Sequence, residues 1–88
     1  MMTPAPVHVN PINWEDYPDR TRVFFTVHAQ FEDDSVKIIS VTNNLDYAID
    51  YANMNSRVPV IKSLVVNCAD FGPEFAGANP QEVFELFR

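Results

Sequence analysis

The strongest constraint on the fold is a strict alternation between Arg22 and Phe31. Val23, Phe25, Val27, Ala29 and Phe31 fall on one side, and Phe24, Thr26, His28 and Gln30 on the other. Side chains of an extended chain point alternately to opposite faces, so a period of two predicts a strand with one face turned to a core. The polar tetrapeptide Glu32-Asp33-Asp34-Ser35 follows, and Val36 to Val41 is a second β-rich run with Ile38 and Ile39 adjacent. Two such runs joined by four turn-forming residues predict a β-hairpin.

The pattern then changes period. Thr42-Asn43-Asn44 supplies side-chain oxygens that accept bonds from the unpaired amides of a first helical turn. Asp46 suits the positive end of the helix dipole. Leu45, Ala48, Ile49 and Ala52 recur at helical spacing, with Asp46, Asp50 and Asn53 opposite and Tyr47, Tyr51 and Met54 as a flanking stripe. This predicts a helix from Leu45 to about Asn55 or Ser56. A third strand is expected from about Val60 to Asn67, with Pro59 at its entrance, where a missing amide donor is tolerated. Ala69 to Ala78, which holds both glycines, reads as a loop. Asn79, Pro80 and Glu82 have the spacing of a helix start, and Val83, Phe84, Leu86 and Phe87 make the short segment after them strongly apolar. A helix this short is unstable alone. It must dock, either on its own sheet or on another chain.

Residues 1–20 carry four of the seven prolines and read as an irregular arm, with Val7-His8-Val9 as a short extended piece. The expectation is one α+β domain over 1–88. Residues 21–68 form a ββαβ core, a three-stranded antiparallel sheet with one main helix packed on it. Residues 69–88 add a loop and a short C-terminal helix.

Composition narrows the function. Six basic residues against twelve acidic ones give a net charge of −6, and 47% of the chain is hydrophobic. That content is too high for a disordered acidic tail. Phosphate contacts require Lys and Arg, and the six here are scattered, so direct nucleic-acid binding is disfavoured. The single Cys68 rules out an internal disulfide and a cysteine-cluster zinc site. No apolar run approaches the roughly 20 residues that cross a bilayer, and the N-terminus lacks a signal-peptide pattern, so a cytoplasmic protein is expected.

Catalytic patterns are sparse. Cys68 ends an apolar strand without nearby basic residues to lower its pKa, and reads as a buried small side chain. His28 reads as a strand residue on the surface or rim. Glu32, Asp33 and Asp34, like Glu15, Asp16 and Asp19, lack the spacing of a calcium loop and read as solvated turn charges. No catalytic residue, metal or cofactor is expected. The interface-like segment is Asp46, Tyr47, Asp50, Tyr51 and Met54: Tyr and Met are enriched in interface centres, and acidic residues at the margin steer association with a basic surface. Packing of Tyr47 and Tyr51 along the sheet edge is the competing reading. The turn residues Glu32, Asp33 and Asp34 add acidic candidates. Trp14 reads as a lid folded on the core or as a partner anchor.

The aromatic strand Val23-Phe24-Phe25-Thr26-Val27, the helix opening Thr42-Asn43-Asn44-Leu45-Asp46-Tyr47-Ala48 and the strand closing at Cys68 together resemble, in layout, small inhibitors made by bacteriophages. These include several anti-CRISPR proteins and the host RNA polymerase inhibitor of short-tailed coliphages. The polymerase inhibitor relies on basic residues on its third strand, where this chain offers only Lys62. The resemblance covers about half the chain and implies a non-catalytic blocker of a bacterial nucleic-acid-handling complex, acting on its basic surface. The alternative expectation is a homo-oligomeric module that docks through Val83, Phe84 and Phe87.

Overall fold

The computed structural model describes residues 3–88. Its elements are β1 (Val7–Val9), β2 (Val23–Phe31), β3 (Val36–Thr42), α1 (Leu45–Asn55), β4 (Ile61–Asp70) and α2 (Pro80–Phe87), with single 3-10 turns at Trp14–Asp16, Arg20–Arg22 and Pro73–Phe75. The fold is α+β, and its sheet has four strands in the order β1-β4-β2-β3.

The expected three-stranded antiparallel sheet is corrected here. β2 pairs antiparallel with both β3 and β4, but β1 adds a fourth strand parallel to β4, with Val7, His8 and Val9 opposite Leu64, Val65 and Val66. Pro6 and Pro11 bracket β1 without breaking it. Pro6 has no amide to donate but still accepts from the Leu64 amide at 3.0 Å, and the Asn10 amide donates to the Val66 carbonyl at 3.0 Å. A proline-flanked strand is tolerated because it lies at the sheet's edge. β4 also runs three residues beyond its expected end, since Val23 and Phe24 of β2 continue the ladder to Asp70 and Ala69.

The hairpin forms as expected. Its turn places Asp34 at φ 69°, a left-handed conformation that Asp tolerates better than most residues. Asp33 Oδ1 accepts from the Ser35 amide at 3.0 Å and from its hydroxyl at 2.6 Å, which closes the turn locally. In β3 the register slips by one residue between its partners Val27 and His28, leaving Ile39 as an extra residue. As neighbours on a strand the two isoleucines point to opposite faces, Ile39 toward α1 and Ile38 toward α2.

Each face of the sheet has its own core. Phe25, Val27 and Ala29 of β2 join Ile61, Leu64 and Val66 of β4 beneath Ala48 and Ala52 of α1. The two alanines let the helix sit close to the sheet. Asn44 caps α1 by accepting from the Tyr47 amide at 3.2 Å. On the other face Phe24 and Val41 pack with Val83 of α2, walled by Phe71 and Phe75. Asn79 caps α2 through the Gln81 amide at 2.9 Å. The C-terminal helix thus docks on its own sheet. Full burial of a side chain such as Val83 stabilises by roughly 1.5–3 kcal/mol, which an isolated eight-residue helix lacks.

Candidate protein-interaction surface

α1 carries no basic residue, and its outward side presents Asp46 and Asp50 one turn apart. Among the described residues the ion pairs are Arg22–Asp70, Lys62–Asp34 and Arg88–Glu85, so both α1 carboxylates lack a cationic partner. Beside them lies the Tyr47, Tyr51 and Met54 stripe. Tyr51 is half-buried against the α1-side core, whereas Tyr47 is 54% and Met54 72% exposed. The tyrosine rings stack at 6.1 Å with 22° between their planes. Tyr51 therefore takes the packing role along the sheet edge, and Tyr47 is left facing solvent above it.

The other sequence candidates lie apart from this group. Glu32, Asp33 and Asp34 sit at the hairpin tip, at the far end of β2 from Trp14. Asp33 is held by Ser35, and Asp34 accepts from Lys62 Nζ at 2.8 Å. These bonds lower the pKa of both carboxyls, with the Ser35 hydroxyl and Lys62 ammonium as the respective main causes. Trp14 lies near the start of α1, where it lines an open recess with Arg20, Val23, Phe25, Asn43, Asn44 and Leu45. Its ring meets the buried Phe25 edge-on at 6.1 Å, and the Arg20 guanidinium lies 4.5 Å over it. Trp14 is a lid on the core with its outer side, 38% of its surface, still open.

The titratable groups weighed for chemistry are spread over both faces. Cys68 is half-buried at the margin of the α1-side core, and burial pushes its thiol pKa up. Tyr17 donates to the Cys68 carbonyl at 3.3 Å. His28 lies on the opposite face, half-buried, with Nε2 2.9 Å from the Thr26 hydroxyl. Its register partner Val65 separates it from His8 on β1. No group of three or more His, Cys, Asp or Glu side chains suited to a metal ion occurs among the described residues. No helix is long and apolar enough to cross a membrane.

One feature of this edge escaped the sequence reading. β3 is the last strand of the sheet, so its outer backbone edge has no strand partner among the described residues. Tyr47 and Tyr51 overhang it on one side, and Gln81 and Phe84 of α2 approach it on the other. Toward the N-terminal half of β3 an open hollow of about 740 Å³ is lined by Val36, Ile38, Ile39, Phe84 and Phe87 and rimmed by Lys37 and Arg88. The run Val36 to Ile39 was a signal for it, since such a strand is apolar on both faces and needs cover on both.

Comparison with known proteins finds no family model, no curated protein and no solved structure that matches this chain.

Proposed function

We propose that this chain is a non-catalytic, acidic inhibitor of the phage type, which binds a bacterial nucleic-acid-handling protein complex in the host cytoplasm and occupies its basic nucleic-acid surface. The observation that carries this reading is the pairing of two uncompensated carboxylates, Asp46 and Asp50, with the exposed Tyr47 and Met54 on one helix. Apolar and aromatic area supplies affinity at the centre of an interface, and unpaired charge beside it accelerates encounter with a surface of opposite sign. The net charge of −6 adds a long-range attraction of the same sign. The anti-CRISPR-like target class is the part of the reading taken from the layout resemblance.

The test uses a CRISPR effector complex and a bacterial RNA polymerase as immobilised baits, with the chain added at rising salt. Retention that falls steeply with salt and is lost on reversing both charges (D46K/D50K) supports the reading. Retention by neither bait, or unchanged retention of the reversed variant, removes it. Cys68→Ala and His28→Ala variants should keep full inhibitory effect; loss of effect with intact folding would move the protein to the catalytic class.

A further inference from the structure

The open recess beside Trp14, about 520 Å³, shares no residue with the Asp46, Tyr47, Asp50 and Met54 surface. Its floor is apolar: Val23 and Phe25 of β2 are buried, and Leu45 of α1 is half-buried. Its wall holds one charge, the Arg20 guanidinium, and no Asp or Glu lines it. With twelve acidic residues for six basic ones, an unpaired arginine is not what chance placement favours. Arg22, two residues on, pairs with Asp70 at 2.9 Å, whereas Arg20 has no carboxylate partner among the described residues. The adjacent Asp19 does not supply one. Its Oδ1 accepts from the Thr21 hydroxyl at 2.6 Å and the Thr21 amide at 3.0 Å, which caps the turn that carries Arg20. We propose that this recess binds a small aromatic carboxylic acid, with the carboxylate on Arg20 and the ring on the floor of Val23, Phe25 and Leu45.

The chemistry of the lining selects this class of ligand. Trp14 holds the guanidinium: Arg20 Cζ lies 4.5 Å from the centroid of its ring, and the ring itself meets Phe25 at 6.1 Å. Stacking on an indole engages the face of a guanidinium and leaves its edge, a planar fork of N–H donors, for an anion. That fork matches the two oxygens of a carboxylate in a bidentate pair. One guanidinium balances one negative charge, which favours a monoanion over a doubly charged phosphate monoester. The apolar floor takes the body of the ligand, and the exposed carboxamide of Asn43 adds a hydrogen-bonding group. The Asn44 side-chain oxygen already accepts from the Tyr47 amide, so the start of α1 is capped and the guanidinium is the group that receives the anion. The volume lies within the range of small-molecule sites.

Trp14 is the single tryptophan of the chain, so its fluorescence reports on this recess directly. The full chain is titrated with phenylacetate, exciting to the red of the ligand's own absorption. A saturable change in emission is expected, half-complete between roughly 0.1 and 10 mM for a ligand of about ten heavy atoms. Phenylacetamide, the neutral analogue, should bind at least about tenfold more weakly, because it offers no charge to the guanidinium. Arg20→Gln should weaken phenylacetate by a similar factor and abolish the preference for acid over amide. Arg57→Gln, at an exposed arginine outside the recess, should change neither. Far-ultraviolet circular dichroism checks that both variants are folded. No saturable response up to about 50 mM overturns the proposal and leaves the Arg20–Trp14 contact as packing alone. Equal affinity for acid and amide, or an Arg20→Gln variant that still prefers the acid, overturns it as well. Because no partner protein is present, these outcomes are independent of the capture experiment above.

Discussion

Phe24 of β2 and Val83 of α2 share one packed cluster on the sheet face opposite α1, and each is 1% exposed. The C-terminal helix is therefore anchored to the core through Val83. Val83→Ala should cost about 2 kcal/mol, the transfer of two methyl groups plus the cavity they leave. Urea denaturation checks this. A cost near zero would mean that α2 is dispensable to the fold.

The caps of the two helices should be worth similar amounts. Asn44 and Asn79 each accept from a first-turn amide, that of Tyr47 and Gln81 respectively. Asn44→Ala and Asn79→Ala should each lower stability by about 1 kcal/mol, and Asn→Ser at either position by much less. Thermal unfolding of the four variants gives the comparison.

His28 should make stability depend on pH in a defined direction. Burial holds its pKa below the ordinary 6.5, so the folded state favours the neutral ring. Above 6.5 this contribution is fully present. As pH falls below 6.5 the unfolded chain takes up the proton first, and stability declines until the folded-state pKa is passed. His28→Gln should flatten the stability profile between about pH 6.5 and about pH 5, a window above the depressed carboxyls of Asp19, Asp33 and Asp34. An unchanged slope would contradict the assignment.

Cys68 should react slowly while the chain is folded. Its thiol is half-buried and burial raises its pKa above 9.0, so little thiolate is available at neutral pH. Alkylation by iodoacetamide near pH 7.5 should be much slower than in urea, where both restraints are removed. Equal rates in the two states would show that the site opens readily.

Asp34 should tolerate substitution according to backbone preference. At φ 69°, Gly or Asn should be accepted, whereas Val should lower the melting temperature because its branched Cβ crowds the left-handed conformation. If Val were neutral, the turn would have to adopt another geometry.

The local elements were legible in the residues because local chemistry specifies them. The alternation around Val27 showed a strand with a buried face, Asn44 marked the first residue of α1 to within one position, and Asn79-Pro80 marked α2. The grouping of Asp46, Tyr47, Asp50 and Met54 followed from helical spacing alone. In the sequence Trp14 and the Glu32–Asp34 turn are further candidates for the same surface, yet the fold sets them at opposite ends of β2, where each serves its own neighbours.

Sequence by itself determined where the hairpin turn falls and where both helices begin, since periodicity and capping act within a few residues, whereas the end of β4 was set by its ladder with β2. Tertiary structure alone decided that β1 joins the sheet, that α2 closes the second face and that β3 is left at the rim. Those outcomes depend on contacts such as that between Asn10 and Asn67, 57 residues apart, whose side chains meet at 3.1 Å. Such pairings are settled by competition for buried area and backbone partners across the whole chain, and no local pattern encodes which strand wins.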